Sequence, residues 1–223
     1  MNQILLSNQK KEKYIRKRSF PLQYDVNQKH HLFRMQILFS LVIIVLSISS
    51  YFISFYHSHQ NELLSAKIKD NYNISTLYSN TDHYIAKEIS VNNDIFQIIG
   101  IIKIDKIKVD YPIFSEMNDD LLKIAPCRFH GPFPNNAGNI CIAAHNYDNY
   151  KFFSRIKELE VGDIISIYDL SGSFVNYTVY INYETDINDT ALALQNTQTR
   201  EVTLVTCNNY NNKRVIVKAK EEM

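Results

Sequence analysis

Cysteine is scarce in this 223-residue sequence, which contains only Cys127, Cys141 and Cys207. An odd number excludes a framework in which every thiol is paired within the chain, so at least one thiol should be free or paired with another molecule. A disulfide between Cys127 and Cys141 would leave Cys207 alone, and the sequence leaves that pairing open.

The sequence also has no internal repeat and almost no net charge, +1 at pH 7. Because 45% of its residues are hydrophobic, the composition excludes a wholly disordered protein and allows one ordinary domain with an appendage. The charges are nevertheless unevenly distributed. Residues 1–34 carry eight Lys or Arg and two acidic residues, whereas the rest of the chain has a net charge of −5. The two parts are therefore expected to occupy different environments.

Residues 35–56, MQILFSLVIIVLSISSYFISFY, contain no charged side chain, proline or glycine. At about 1.5 Å per residue, a helix of this length spans a hydrocarbon layer of about 30 Å, so the segment predicts a transmembrane helix. The alternatives are a cleaved signal peptide and a buried helix of a soluble protein. The long basic leader and the lack of an A-x-A cleavage pattern disfavour the signal peptide. The basic flank predicts a cytoplasmic N-terminus.

We therefore expect four parts in the chain: a basic cytoplasmic tail (1–34), the transmembrane helix (35–56), an extracellular stalk or linker (57–95) and a β-rich domain (96–223). The stalk prediction follows from a polar, Asn-rich composition with one short helical pattern. In the last part, many short β-branched runs alternate with turn residues, which is typical of a closed or partly closed β-barrel.

Local patterns predict short elements within the β-rich domain. The first β-branched runs are expected to break at Asp105 and Pro112. NDDLLKI (118–124) begins with helix-capping residues and predicts one or two helical turns. FFSRIKEL (152–159) has apolar residues at helical spacing, which predicts a further helix.

Three side chains that are capable of catalytic chemistry lie where predicted strands meet polar loops: His145, Cys207 and Arg214. Because the strand ends of a barrel cluster at a rim, the three are expected to meet there. A thiolate beside an imidazolium and a guanidinium activates a cysteine and stabilises an oxyanion. Each residue alone has a common structural explanation, since most free cysteines are small buried hydrophobes and a single His or Arg at a strand end is usually a surface group. Only the combination predicts a cysteine nucleophile.

The segments GNICIAAH (138–145), TLVTC (203–207) and KRVIVKA (213–219) resemble the GN-x-x-IA-x-H and TLxTC…R signatures of the sortases, membrane-anchored cysteine transpeptidases of Gram-positive bacteria. The resemblance covers about residues 96–220. It implies a mainly β fold, a closed eight-stranded sortase-type β-barrel with short helices, preceded by an N-terminal transmembrane helix in the cell membrane.

The resemblance also implies roles for individual residues. Cys207 would be the nucleophile that attacks an LPxTG-like C-terminal sorting signal of a secreted protein. His145 would protonate the leaving amine, and Arg214 would stabilise the oxyanion. Thr206 would line the substrate cleft. An amine of a peptidoglycan precursor would then release the acyl-thioester and join the protein to the cell wall, with no cofactor and no nucleic acid involved.

Departures from the family pattern bear on the subclass. CRFHGPF (127–133) stands where a stretch resembling GHYPGT is familiar. The sequence shows no Asp-Pro-aromatic lid motif, no second membrane helix at its C-terminal end, and no long insertion before the cysteine strand. We therefore expect a class D-like enzyme or another short class A- or E-like member.

A zinc-binding alternative, a non-catalytic alternative and a candidate calcium site of the enzyme accompany this interpretation. Cys127-x-x-His130 and Cys141-x-x-x-His145 have the spacing of a Cys₂His₂ zinc site, which would indicate a non-catalytic, zinc-binding ectodomain. The non-catalytic alternative is a degenerate sortase that serves only as a binding or scaffold domain. Candidate calcium ligands, in clusters that are usually solvated surface, are Glu116, Asp119, Asp120, Glu184, Asp186 and Asp189.

Overall fold

The computed structural model describes residues 26–76, 86–147, 150–189, 191, 195, 197–208 and 211–221. They fall into two compact units, Met1–Phe55 and Tyr56–Met223. Most of the predicted cytoplasmic tail, 1–25, lies outside the described residues, as does part of the predicted stalk, 77–85. The predicted division into tail, membrane helix, stalk and catalytic domain stays a prediction.

The described part of the first unit consists of helix α1, Val26–Thr76, which continues into the second unit. Within α1, the stretch Lys29–Asn73 is long and apolar enough to cross a membrane, with a mean hydropathy of 2.4 in its most apolar part. Large apolar side chains from Leu32 to Tyr56 are exposed, whereas a core helix of a soluble protein would bury them. The helix is therefore a candidate transmembrane span, in agreement with the prediction for 35–56.

The second unit contains the remainder of α1, nine strands among its described residues, and short helical segments. The strands are β1 (Lys87–Val91), β2 (Asp94–Ile104), β3 (Val109–Phe114), β4 (Cys127–His130), β5 (Gly138–Ala143), β6 (Ile164–Asp169), β7 (Phe174–Asp186), β8 (Arg200–Asn208) and β9 (Lys213–Glu221). The helical segments are α2 (Asp119–Leu122) and two 3₁₀ turns, Asp105–Ile107 and Ile156–Glu158.

Eight of these strands close into a barrel in the order β2-β3-β4-β5-β8-β9-β7-β6, with β6 pairing back onto β2. The ninth, β1, forms an antiparallel hairpin with the first half of β2. The seam needs a glycine, because a Cβ at Gly100 would lie 2.2 Å from the carbonyl oxygen of Tyr168 in β6. The predicted closed eight-stranded barrel is confirmed.

The barrel interior is filled by apolar side chains from all around the sheet, and β8 is covered on both faces. Val202 and Leu204 belong to the interior cluster, whereas Val205 belongs to a smaller cluster on the outer face. Since side chains two apart in a strand share a face, Cys207 projects on the same outer face as Val205. Burial on both sides of β8 holds the strand that carries Cys207.

Part of the region predicted as a stalk packs against the barrel. Ile68 and Tyr72 of α1 are buried in an apolar cluster with Ile98 and Phe114, and Lys69 forms an ion pair with Asp110 at 2.9 Å. The Asn-rich composition hides these contacts, because a few well-placed apolar residues suffice to dock one face of a helix.

Three of the local predictions have clear outcomes. The break at Asp105 is confirmed by the 3₁₀ turn that follows β2. Helix α2 is capped by Asn118, whose side chain accepts hydrogen bonds from the amides of Asp120 and Leu121. The break at Pro112 is wrong, since β3 continues through it. Beyond β2, the neighbour of β3 pairs only at Phe114, and a proline at an unpaired edge removes no ladder hydrogen bond.

The helix predicted over 152–159 is reduced to the 3₁₀ turn Ile156–Glu158. Phe152 has a φ of 52°, a left-handed conformation that prevents an α-helix from starting there. The apolar spacing of the segment 152–159 reflects burial, because Phe153, Ile156 and Leu159 all lie in the barrel core.

Candidate active site

Cys207 and Arg214 form a direct cross-strand pair between the antiparallel strands β8 and β9. Side chains paired in this way lie on one face of the sheet, with Cβ atoms about 4.5–5.5 Å apart. The cysteine is exposed and the arginine is partly buried. The barrel therefore carries the Arg214 side chain on the same face of the sheet as the accessible Cys207 thiol.

His145 lies two residues beyond the end of β5, and both of its chain neighbours are bonded to the cysteine strand. The amide of Ala144 donates to the carbonyl of Val205 at 3.2 Å. The Thr206 hydroxyl donates to the carbonyl of Ala144 at 2.7 Å. On the other side, the amide group of Asn146 donates to the carbonyl of Cys207 at 2.8 Å. These bonds bring His145 to the end of β8 that carries the thiol.

The environment of His145 favours its neutral form. Burial lowers the pKa of the imidazole below its ordinary value, and the positive charge of Lys123 acts in the same direction, while the carboxylate of Asp119 opposes it. Both charged residues belong to the region of α2 and its C-terminal cap.

The three thiols differ sharply in exposure. All three are free, with Cys127 and Cys141 buried and Cys207 exposed. Burial raises the pKa of each buried thiol to about 12, which keeps both protonated near neutral pH. Cys207 is therefore the thiol available for nucleophilic chemistry.

The residues of the alternative metal sites do not assemble. Cys127 packs with the cluster under α1, whereas Cys141 packs with Val205 and Ile216 on the outer face of the barrel. Across the described part of the chain, no three His, Cys, Asp or Glu side chains are grouped so as to hold a metal ion. The zinc spacing in the sequence thus has no counterpart in the arrangement of these side chains.

An apolar surface adjoins the thiol on the outer face of the barrel. Val205 and Ile216 form the register pair two positions away from Cys207 and Arg214, on the same face of the sheet, and they pack with Cys141. Two partly buried aromatic side chains, Phe129 and Tyr183, cover this cluster. The rings of Phe129 and Tyr183, rather than the buried residues beneath them, are therefore the apolar groups that this cluster offers to a ligand at the thiol.

Two further residues of the site were not singled out in the sequence. Asn146 bonds to the backbone of Cys207, and the Tyr147 ring lies 5.1 Å from the His145 ring. Their position directly after His145 in the chain was the available signal. Thr206, predicted to line the substrate cleft, is buried and bonded to Ala144, and its contact with substrate stays a prediction.

Comparison with known proteins matches this architecture to one family. A family model described as a sortase domain matches residues 102–222, more than half of the chain. No curated protein is significantly similar to the chain in sequence.

Solved structures share the fold. A sortase D5 transpeptidase from Clostridium perfringens is 28% identical, with a TM-score of 0.55, over 75% of this chain and 99% of that one. Sortase A from Listeria monocytogenes is 22% identical, with a TM-score of 0.50, over 56% of this chain and 88% of that one. Sortase C1 from Streptococcus suis is 20% identical, with a TM-score of 0.52, over 56% and 73%.

The family match spans β3 to β9, and therefore includes the strands and loops that carry His145, Cys207 and Arg214. It favours an enzyme over a zinc-binding or otherwise non-catalytic ectodomain. The chain belongs to the sortase family and is a cysteine transpeptidase.

Proposed function

We propose that this enzyme cleaves an LPxTG-like C-terminal sorting signal of secreted proteins and transfers the protein to an amine of the cell wall. The observation that carries the proposal is the cross-strand pair of Cys207 and Arg214, with His145 bonded through its neighbours to the same strand end. The similarity to the Clostridium perfringens sortase D5 transpeptidase supports a class D-like enzyme.

In the first half-reaction, the Cys207 thiolate attacks the carbonyl carbon of the scissile peptide bond. The carbonyl oxygen becomes an oxyanion, and the guanidinium of Arg214 donates hydrogen bonds to it. Because the backbone of Arg214 is paired directly with that of Cys207, its side chain starts from the face on which the oxyanion forms. The imidazolium of His145 then protonates the leaving nitrogen, the C–N bond breaks, and an acyl-thioester remains on the sulfur.

In the second half-reaction, a primary amine enters from the side of His145. The neutral imidazole, favoured by its burial, accepts a proton from the amine as its nitrogen attacks the thioester carbon. Collapse of the second oxyanion breaks the C–S bond and releases the Cys207 thiolate. The product is a new peptide bond between the secreted protein and the acceptor.

The outer-face cluster supports a sorting signal with apolar residues on the acyl side of the scissile bond. Val205 and Ile216 lie two register pairs from the reactive pair on the same face, and Tyr183 of β7, the register partner of Ile216, packs over them. Leucine and proline of an LPxTG-like motif are the kinds of side chain that such a surface binds through apolar burial. We assign Thr206 a supporting place beneath this surface.

Position in the cell follows from α1 and its basic flank. We propose a single-pass protein of the cell membrane with its N-terminus in the cytoplasm, because eight Lys or Arg precede the apolar segment. Residues 57–223 would then be extracellular, where secreted proteins and peptidoglycan precursors are both within reach.

The test is a ligation assay with the full chain in detergent micelles. Peptides that carry LPxTG and single-residue variants of it are incubated with and without glycylglycine as the amine. Cleavage at one bond, with a ligated product that requires glycylglycine and is absent in Cys207→Ala, is the expected result. Release of hydrolysed peptide only, or no cleavage of any peptide, contradicts the proposal.

A further inference from the structure

The catalytic histidine opens a loop whose two ends are tied together. The amide of Phe153 donates to the carbonyl of His145 at 3.2 Å, and Asn146 and Phe152 form an isolated antiparallel bridge. Aromatic rings join the same ends, since Tyr147 lies 5.1 Å from the ring of His145 and 5.6 Å from that of Phe152. A displacement at the end of the loop is therefore transmitted to His145 by direct contacts.

The last part of this loop is held by helix α1. Lys151 forms an ion pair with Glu62 at 2.6 Å. Its ammonium also donates to the hydroxyl and to the backbone carbonyl of Ser58, at 3.3 and 3.4 Å. The Lys151 side chain is 18% exposed and the Glu62 side chain is 46% exposed, so solvent screens this pair only in part. The next residue, Phe152, packs on Tyr111 of β3 at 5.0 Å.

Ser58 and Glu62 lie in the first two turns after the predicted membrane segment, 35–56. The loop that bears the catalytic base of the proposed reaction is therefore bonded to the part of α1 that follows the predicted membrane segment. A second ion pair, Lys69 with Asp110 at 2.9 Å, joins the same helix to β3. It offers an internal comparison.

We propose that Ser58, Glu62 and Lys151 form a clamp that positions His145 for proton transfer, so that the segment directly after the membrane span sets the catalytic rate. The proposal rests on the proposed function, because it assigns the clamp to the two proton-transfer steps. Glu62 and Lys151 are positioning residues, since they act on His145 through the Phe152 and Tyr147 contacts.

The experiment compares single variants, a charge swap and a matched control in the full chain in micelles. Glu62→Gln and Lys151→Gln each remove one charge of the clamp, and Glu62→Lys with Lys151→Glu restores the pair in reverse. Lys69→Gln with Asp110→Asn removes the other helix-to-barrel ion pair. Initial rates with a cleaved sorting peptide give kcat and KM separately, and circular dichroism melts report whether each variant is folded.

Misplacement of a catalytic group by about 1 Å can lower the rate about 100-fold. We expect each single clamp variant to lower kcat about 10- to 100-fold with KM changed less than about twofold, and the charge swap to recover most of the loss. The control double variant should keep the wild-type kcat. The pH–rate profile of the clamp variants should also change, in the limb assigned to His145. The charged or titratable groups that face His145 from elsewhere are Asp119, Lys123 and Tyr147.

The outcomes separate this proposal from the proposed function. Wild-type kcat in folded single clamp variants, or equal losses in the control double variant, overturns the clamp while leaving transpeptidation intact. A wild-type chain that ligates no sorting peptide overturns the proposed function. For that case, the His145 ring resonances provide a readout independent of turnover, and the clamp predicts that they shift in Lys151→Gln but not in the control.

Discussion

Cys207 and Arg214 face each other across β8 and β9 as direct register partners. The backbone positions of these two residues are therefore set by a hydrogen-bonded ladder rather than by a loop. Strands β8 and β9 also contribute Leu204 and Val217 to the barrel core, so the pair is held from behind by packing. A pre-positioned charge of this kind stabilises an oxyanion without reorganisation during the reaction.

Arg214→Gln should lower kcat about 10²- to 10³-fold, because it removes the charged donor proposed for the oxyanion on the register partner of Cys207. The measurement is steady-state kinetics of sorting-peptide cleavage. Lys213→Gln is the matched control, since its exposed side chain projects on the opposite face of β9. An Arg214→Gln enzyme with wild-type kcat would remove Arg214 from the mechanism.

Alkylation at pH 8 should modify one thiol of the folded chain rapidly, and that thiol should be Cys207. Cys127 and Cys141 are buried, and burial raises the pKa of each to about 12, so both stay protonated and shielded. Intact mass after brief iodoacetamide treatment should show one adduct, and Cys207→Ser should show none. Equal labelling of three thiols without denaturant would contradict the assigned burial.

The pKa of His145 should lie below the ordinary value of histidine and respond to the two charged residues near α2 in opposite directions. Burial disfavours the imidazolium, and Lys123 acts in the same sense while Asp119 opposes both. Asp119→Asn should therefore lower the pKa further, and Lys123→Gln should raise it. If protonated His145 is the acid, activity is lost as pH rises through this pKa, so Lys123→Gln should move that loss to higher pH.

The check is an NMR titration of the His145 ring beside the pH–rate profile. Shifts of the two variants in the same direction would show that the charges near α2 do not act on His145 as assigned.

Thr206→Val should lower both stability and activity, because it leaves the buried Ala144 carbonyl without its hydroxyl donor. The free energy of unfolding should fall by about 1–3 kcal/mol. Thr203→Val is a close control on the same strand, since its buried hydroxyl bonds to Asn139 instead. Denaturant melts should show a loss for both variants, whereas kcat should fall only for Thr206→Val. A fall in kcat of equal size for both variants would show that the Thr206 hydroxyl does not specifically position His145.

Sequence reasoning reached the elements that depend on local pattern. The apolar segment 35–56, the barrel class and the strand-end positions of Cys207 and Arg214 follow from composition and periodicity over a few residues. The family resemblance added the closed eight-stranded barrel, because closure of β6 onto β2 is a long-range pairing that no local pattern contains.

The remaining features depend on contacts between distant parts of the chain. Asn146 bonds to a residue 61 positions away, and Lys151 bonds to Ser58, 93 positions away. The sequence of residues 57–76 predicts a polar linker. The burial of side chains such as Ile68 depends on docking of the helix on the barrel, which no local pattern contains. The sequence suggested a strand break at Pro112 because proline lacks a backbone donor. Only the assembled sheet shows that Pro112 lies at an unpaired edge, where no ladder hydrogen bond is lost.

The most direct test of the account is an acid-quenched intact-mass measurement of the full chain with a cleaved sorting peptide and no added amine. The account predicts a mass gain equal to the acyl part of the peptide, mapped to Cys207, lost in Cys207→Ala and discharged into a ligated product when glycylglycine is added. An adduct on another residue, or peptide ligation that persists in Cys207→Ala, would contradict it.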